Sequence, residues 1–470
     1  MAQKTISIVW VTHDLRITDN PALHAAAQQG TILPIYIHNP DSQIKLGQSS
    51  RWWLHYSLQE LNSSLDEKLN LYIGKPTDIL IKIAETYSIK AIYVNKVHEP
   101  AAQAEHESIQ KAMKAHNIEY HTLLANLLWE PADIVKDDGT PYKVFTPFYR
   151  NGCLGANPPR IPLNKPDNMM LIKDTHNSIT LDDLTCITDH ELDQRLQKIW
   201  NPSEQTAHNA LQHFITHGLA GYQENRDFPD RQGVSRLSPF LHFGQISPNQ
   251  VWYAVSKAHA PLQDIDCFLK QLGWREFSYN LLYNFPKLPD KNYQPKFDAF
   301  TWAENSTKLL HAWQQGKTGY PIVDAGMREL AQTGLMHNRV RMIVASFLIK
   351  NLLIDWRHGR DWFWEHLVDA DLANNSASWQ WVAGSGADAA PFFRIFNPIL
   401  QGEKFDAQGD YTRHYVPELT TLPDKYLYQP WLAPADILRK ANIKLGKDYP
   451  LPIVDLATSR NQALNQYKKL

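Results

Sequence analysis

Residues 316–356 read GKTGYPIVDAGMRELAQTGLMHNRVRMIVASFLIKNLLIDW, and the run from Asn338 carries the pattern that decides the second half of the chain. Val340, Ile343, Val344, Phe347 and Leu348 recur at the three- and four-residue steps of an α-helix and form one apolar stripe. Asn338, Arg341, Met342 and Ala345 share another face, where an amide and a guanidinium beside a thioether look like the lining of a pocket. Arg341 has two readings: a pocket cation, or half of a structural ion pair with Asp369 or Asp371 in VDADLANN. The apolar run Met342 to Ile349 closes at Lys350, well short of the roughly 18 residues a membrane helix needs, so no membrane span is expected.

Helical periodicity of this kind dominates from about Trp200 onward, which predicts an all-helical domain over 201–470. The first 130 residues read differently. ISIVWV, TILPIYIH, LNLYIG, AIYVN and EYHTL are strand-like, and NPALHAAAQQ and PAAQAEHESIQKAMKAH between them are helical. Asn20 before Pro21 is a good helix start, an Asn cap followed by a residue whose missing N–H costs nothing there. Repeated β-α units predict a doubly wound parallel sheet, hence an α/β domain over 1–130. THDLRITDN follows the first strand where an ordinary dinucleotide binder has G-x-G-x-x-G, so the domain is not one of those. Residues 131–200, rich in Pro, Asn and Asp (GANPPRIPLNKPDN, SITLDDLTCITDHELD), read as a linker with little regular structure.

A chain of 470 residues needs more than one core, and 43% hydrophobic with 20% charged residues places it among water-soluble globular proteins. The formal net charge of -2 leaves any nucleic-acid binding to a local basic strip. Cys153, Cys186 and Cys267 form no C-x-x-C pair and point to a reducing compartment; with no signal-peptide pattern before ISIVWV, a cytoplasmic location is expected. No metal site is expected.

Two further stretches carry chemistry. In CFLKQLGWREFSYNLLY, Gln271, Trp274, Arg275 and Ser278 fall on one helical face and give an amide, an indole and a cation to one ligand. In GVSRLSPFLHFGQISP, Ser235, Arg236 and Ser238 ahead of a helix suit a pyrophosphate, although the same residues also serve as an everyday helix cap.

W-R-E-F, GKTGYPIVDAGMREL, MHNRVRM, LLIDWR, DADLANN, WQWVAGSGADAAP and FRIFNP, in this order, resemble the FAD domain of the DNA photolyase/cryptochrome family. WVTHDLRITDNPAL resembles the opening of its antenna domain, so the likeness spans nearly the whole chain. The resemblance implies light-driven repair of cyclobutane pyrimidine dimers by electron transfer from photoexcited reduced FAD to a flipped-out dimer. It implies FAD contacts from Tyr222, Val234, Ser235, Arg236, Leu237, Ser238, Phe268, Gln271, Arg275, Asn338, Arg341, Asp369, Ala370, Asp371 and Asn375. Gln271, Trp274, Asn338, Met342 and Asn375 match the reaction site, with Trp274 as the wall a dimer stacks on. Arg226, Arg339, Arg394 and Gln401 match positions that hold the DNA backbone, joined in DNA contact by Gln271, Trp274, Arg275 and Asn338. Trp302, Trp356 and Trp379 match an electron-hopping chain. GQSSRWWLHYSL is similar to the branch that carries 5,10-methenyltetrahydrofolate as antenna, with Trp52/Trp53 as the aromatic site.

Gln271 stands where dimer photolyases generally place Glu, and Val234 replaces a Thr of the phosphate loop. Gln271 also occurs in (6-4) photolyases, but those carry histidines where this chain has Asn338 and Met342. A non-repairing photoreceptor is the other alternative; no obligate protein partner is indicated, and a monomer is expected.

Overall fold

β1 (Ile6–Val11), ISIVWV, is buried along its whole length, as a strand covered on both faces must be. It pairs in parallel with β2 (Thr31–His38) on one side and β4 (Ile89–Asn95) on the other. β3 (Asn70–Ile73) continues past β2, and β5 (Glu119–Leu123) past β4, giving the order β3-β2-β1-β4-β5. The chain therefore runs outward one way from β1 and returns to cross the other way, the doubly wound arrangement expected from the β-α repeats. Asn20 caps the Pro21–Ala27 helix by accepting from the Leu23 N–H. Ile8, Leu33, Ile35, Ile92 and Val94 form the core with Ile109 and Met113 of the Pro100–Ala115 helix.

This computed structural model describes residues 5–304, 306–388 and 393–470, so the end of the WQWVAGSGADAAP motif lies outside the described residues. The chain divides into two compact units. The sheet-bearing unit runs to Ala220 and takes back Ser235–Pro286; the helical unit comprises Gly221–Val234 and Lys287–Leu470. The two compact units interleave along the chain, for a reason visible in the Leu262–Asn284 helix. Its Arg275 donates to the Asn126 carbonyl at 2.7 Å, and its buried Glu276 accepts from the Leu128 and Trp129 N–H groups.

Residues 131–200 are more ordered than their composition suggests. They hold a helical turn (Phe145–Pro147), a π-helical turn (Phe148–Cys153) and β6 (Met170–Leu171), which pairs with the start of β2. The His190–Gln197 helix is capped by Asp189. Composition missed the first three because they are held by contacts with distant residues rather than by their own periodicity, whereas the last has a local cap and buries Leu192 and Leu196 one turn apart.

Where β1 ends, the fully buried Arg16 spends its guanidinium on the carbonyls of Asp19, Ala125 and Gly244 and on Asn126 Oδ1. Gly244, at φ +70°, lies so close to the loop after β1 that a Cβ there would sit 2.1 Å from the His13 carbonyl oxygen. Only glycine meets both demands.

In the helical unit, the Asn338–Ser346 helix puts Val340, Ile343 and Val344 into the core, and the π-helical turn Phe347–Asn351 continues the stripe with Phe347 and Leu348. Ala345, read from sequence as part of the pocket face, is buried in the same core. No described helix is long and apolar enough to cross a membrane.

Candidate active site

One turn into the Asn338–Ser346 helix, Arg341 resolves its two readings. Its Nη2 donates to both oxygens of Asp369, at 3.0 and 2.9 Å, and its Nε to the Met336 carbonyl. The pair is lopsided: the Asp369 side chain is 4% exposed and that of Arg341 25%. The acid is sealed in protein while the cation is partly exposed beside exposed Asn338 and half-buried Met342, so the ion-pair reading is the one the contacts show. Next to it Ala370 is buried, and Asp371 caps the Leu372–Ala383 helix through the Asn374 N–H. In the first turns of that helix, Asn375 donates its Nδ2 to the Arg360 carbonyl at 3.1 Å. The Oγ of Ser376, fully buried, has no hydrogen-bond partner.

The same helix carries Trp379, 3% exposed, edge-on to Phe363 at 5.0 Å and to Trp313 at 6.4 Å. Trp379 reaches this place because residue 359 is glycine: a Cβ there would lie 2.1 Å from Trp379 Cη2. Trp356 is wholly buried, donates its indole N–H to Asn292 Oδ1 at 3.1 Å, and has Arg357 and Arg360 over its ring. Trp302 is half-buried against Phe300.

Arg226 and Arg339 converge on a residue that sequence reading passed over, Asp227. Arg339 Nη2 lies 2.6 Å from Asp227 Oδ2 and Arg226 Nε lies 3.8 Å from Oδ1. The Arg339 guanidinium lies over Phe405 at 4.4 Å, and Arg226 lies over the ring of buried Tyr222 at 5.6 Å. Beneath them burial pushes the His337 imidazole down to about 4, opposed by Asp227. Arg394 is exposed, with its guanidinium over Phe396 and its carbonyl accepting from Lys350; Gln401 is half-buried on the Pro398–Phe405 helix. Val234 is half-buried.

In the sheet-bearing unit, Gln271, Trp274 and Arg275 lie on the Leu262–Asn284 helix as their spacing requires. Gln271 donates to the Cys267 carbonyl one turn back, at 2.8 Å. Arg275 is engaged with Asn126 and Glu276 and lies over Tyr279. Trp274 is 36% exposed, and its hidden side rests on Phe145, another residue that sequence reading missed. The aromatic run VFTPFY was the available signal, masked by the polar residues around it. Phe268 packs into the core against Phe214, and Leu237 is buried, so Leu237 can reach a phosphate only through its main chain. Arg236 and Ser238 are exposed; Arg236 takes a left-handed φ of +53° and lies over Trp200.

The aromatic site read at Trp52/Trp53 is corrected by the structure. Both indoles are buried to 1% or less; Trp52 donates to Asp193 and Trp53 to Gln245, among Trp200, Phe240 and Phe243. Neither ring has a face left for a chromophore. They are core.

The groups present fit FAD. Taken by itself, the sheet-bearing unit supplies in exposed Ser238 and Arg236 a hydroxyl and a cation of the kind phosphates need; the helical unit by itself offers the amides of Asn338 and Asn375 and the partly exposed cation of Arg341, groups suited to the edge of a heteroaromatic ring. The unpartnered Ser376 hydroxyl beside Asn375 marks a buried polar spot without an internal bond.

Comparisons with known proteins agree. Residues 268–469 match the FAD binding domain of DNA photolyase, and residues 7–166 match DNA photolyase. The chain is 46% identical to the deoxyribodipyrimidine photo-lyase of Agrobacterium fabrum, covering 98% of this chain and 97% of that one. It is 35% identical to cryptochrome-1 of Arabidopsis thaliana over 99% of this chain and 71% of that one. The crystal structure of a class III photolyase from Agrobacterium tumefaciens superposes with a TM-score of 0.96 at 45% identity, covering 100% of this chain and 98% of that one. With sequence motifs and sheet topology in accord, the chain belongs to the DNA photolyase/cryptochrome family, among its deoxyribodipyrimidine photo-lyase enzymes.

Proposed function

We propose that the chain repairs cyclobutane pyrimidine dimers in DNA under light, with FAD as cofactor. The observation that carries the reading is the Arg341–Asp369 pair, sealed on its acid side and open on its basic side, on a helix whose neighbouring groups are Asn338 and Met342 rather than histidines. A half-open cation with a buried counter-ion favours an anionic ring system without leaving a bare charge in a low-dielectric site.

In the helical unit the FAD-binding groups are Tyr222, Val234, Asn338, Arg341, Asp369, Ala370, Asp371 and Asn375. In the sheet-bearing unit they are Ser235, Arg236, Leu237 and Ser238, with Phe268, Gln271 and Arg275. Reduced FAD, when bound and photoexcited, would supply the electron that opens the cyclobutane ring and then take it back. The protein's part is to bind and orient. Trp274 stacks on the extruded pyrimidine, Gln271 donates an amide hydrogen bond to a carbonyl edge, and Asn338 and Met342 line the dimer. Arg226, Arg339, Arg394 and Gln401 hold backbone phosphates. Trp379, Trp356 and Trp302 pass electrons inward under light.

A methenyltetrahydrofolate antenna is proposed on resemblance alone, without Trp52 or Trp53 as its platform; absorbance of the bound chromophores checks it. For the main reading, purified reduced protein is mixed with UV-irradiated oligothymidine and illuminated with blue light, and dimer loss is compared with a dark control. Light-dependent loss supports repair. No loss from a protein that still photoreduces its flavin overturns repair in favour of a photoreceptor.

A further inference from the structure

We propose that Phe145 is a positioning residue for Trp274, fixing the plane on which a flipped-out pyrimidine stacks. The inference deepens the lesion-binding reading of Trp274 and rests on it.

The two rings are 3.8 Å apart between centroids and 9° from parallel, a close face-to-face contact. Phe145 is in turn nearly parallel to Tyr149, at 5.6 Å and 13°. Phe277 closes the side edge-on to both Phe145 and Trp274, at 6.0 and 5.9 Å. Tyr149, Phe145 and Trp274 thus form a column of near-parallel rings whose exposure rises along it, from 2% through 7% to 36%. The partly exposed ring is the one expected to meet the base.

The backbone is shaped to permit this column. Tyr149 lies against the Leu262–Asn284 helix where residue 273 is glycine, and a Cβ there would sit 2.5 Å from Tyr149 Cδ2. Phe145 opens the helical turn that runs into the π-helical turn holding Tyr149, an uncommon geometry that recurs at functional sites.

Ordinary core filling would need only apolar volume at position 145. Parallel stacking does more. An indole free on one face samples several ring orientations and must lose them when a base stacks; one already clamped against a parallel ring has lost them on folding. The column also blocks one face, so a pyrimidine adds to Trp274 from one side only.

The test uses the full-length protein with bound FAD in the dark, with affinity for UV-irradiated and unirradiated oligothymidine read by anisotropy. Phe145→Leu keeps apolar bulk and removes the flat ring; Phe145→Tyr keeps the ring; Trp274→Ala is the reference. Since a base–aromatic stack is strong enough to shift affinity about tenfold, F145L is expected to weaken binding to irradiated DNA by about three- to tenfold. Binding to unirradiated DNA and the melting temperature should stay close to wild type, and F145Y should bind as wild type does. If F145L does not fold, Phe145→Met, which fills the same space with a flexible chain, carries the test. Wild-type binding by F145L or F145M while W274A is impaired overturns the inference alone, as does F145Y binding as weakly as F145L. Unimpaired binding by W274A overturns the lesion reading itself.

Discussion

Replacing Gly359 with alanine should damage the helical unit and, with it, the electron path proposed through Trp379. The new Cβ would lie 2.1 Å from Trp379 Cη2, 2.4 Å from Cζ3 and 2.7 Å from Leu348 Cδ2. Carbon atoms pack at about 3.5–4.0 Å, so the indole must retreat by more than about 1 Å. It has nowhere to go, being held by Phe363 and Trp313 and 3% exposed. Overpacking of this kind costs about 3 kcal/mol at the upper end of its usual range, and the better helix propensity of alanine returns about 1 kcal/mol, leaving about 2 kcal/mol of destabilisation. Urea unfolding of the purified protein measures the first effect; the rate of flavin reduction under blue light with an external electron donor measures the second. A G359A protein with wild-type stability would refute the packing argument, and a destabilised G359A protein that still photoreduces its flavin at the wild-type rate would refute the proposed place of Trp379 in the path.

Three other outcomes are expected. Asp227→Asn removes the carboxylate shared by Arg226 and Arg339, so DNA binding at low salt should tighten and the slope of log K against log salt should steepen by up to about 0.9; an unchanged slope would show that Asp227 does not screen these arginines. Burial, with Lys96 and Arg275 nearby, pushes His98 down to about 3, so its neutral form contributes stability that is complete above its ordinary value near 6.5 and is lost as pH falls toward 3. His98→Phe, keeping the edge-on contact with Tyr279, should flatten that acid limb in melting experiments from pH 6.5 downward, and an unchanged limb would assign the acid sensitivity elsewhere. Gln271→Glu should preserve or raise dimer repair per absorbed photon; a fall in yield would contradict the proposed role of this side chain.

The legible parts of the molecule were those written in local periodicity. ISIVWV and TILPIYIH announced buried parallel strands, and the stripe from Val340 to Leu348 announced a core helix because burial repeats with the helical turn. Arg341 was legible as half of an ion pair with Asp369 or Asp371, and the structure selects Asp369. What remained hidden depended on long-range contacts. The stack of Phe145 on Trp274 joins residues with no shared pattern, and the return of Ser235–Pro286 to the sheet-bearing unit rests on polar ties such as Arg275 to Asn126. Trp52 and Trp53 misled because adjacent aromatics on a helix suggest one exposed ring, whereas this helix is covered on the faces of both.

The guanidinium of Arg16 limits how the chain can be cut or recombined. Its acceptors come from residues 19, 125–126 and 244, so a truncated piece ending at 220 would keep the sheet yet strand a buried positive charge one ligand short. Swapping the first strand and its loop between relatives should succeed only when the segment around Gly244 travels with it, making these three distant stretches a single heritable unit.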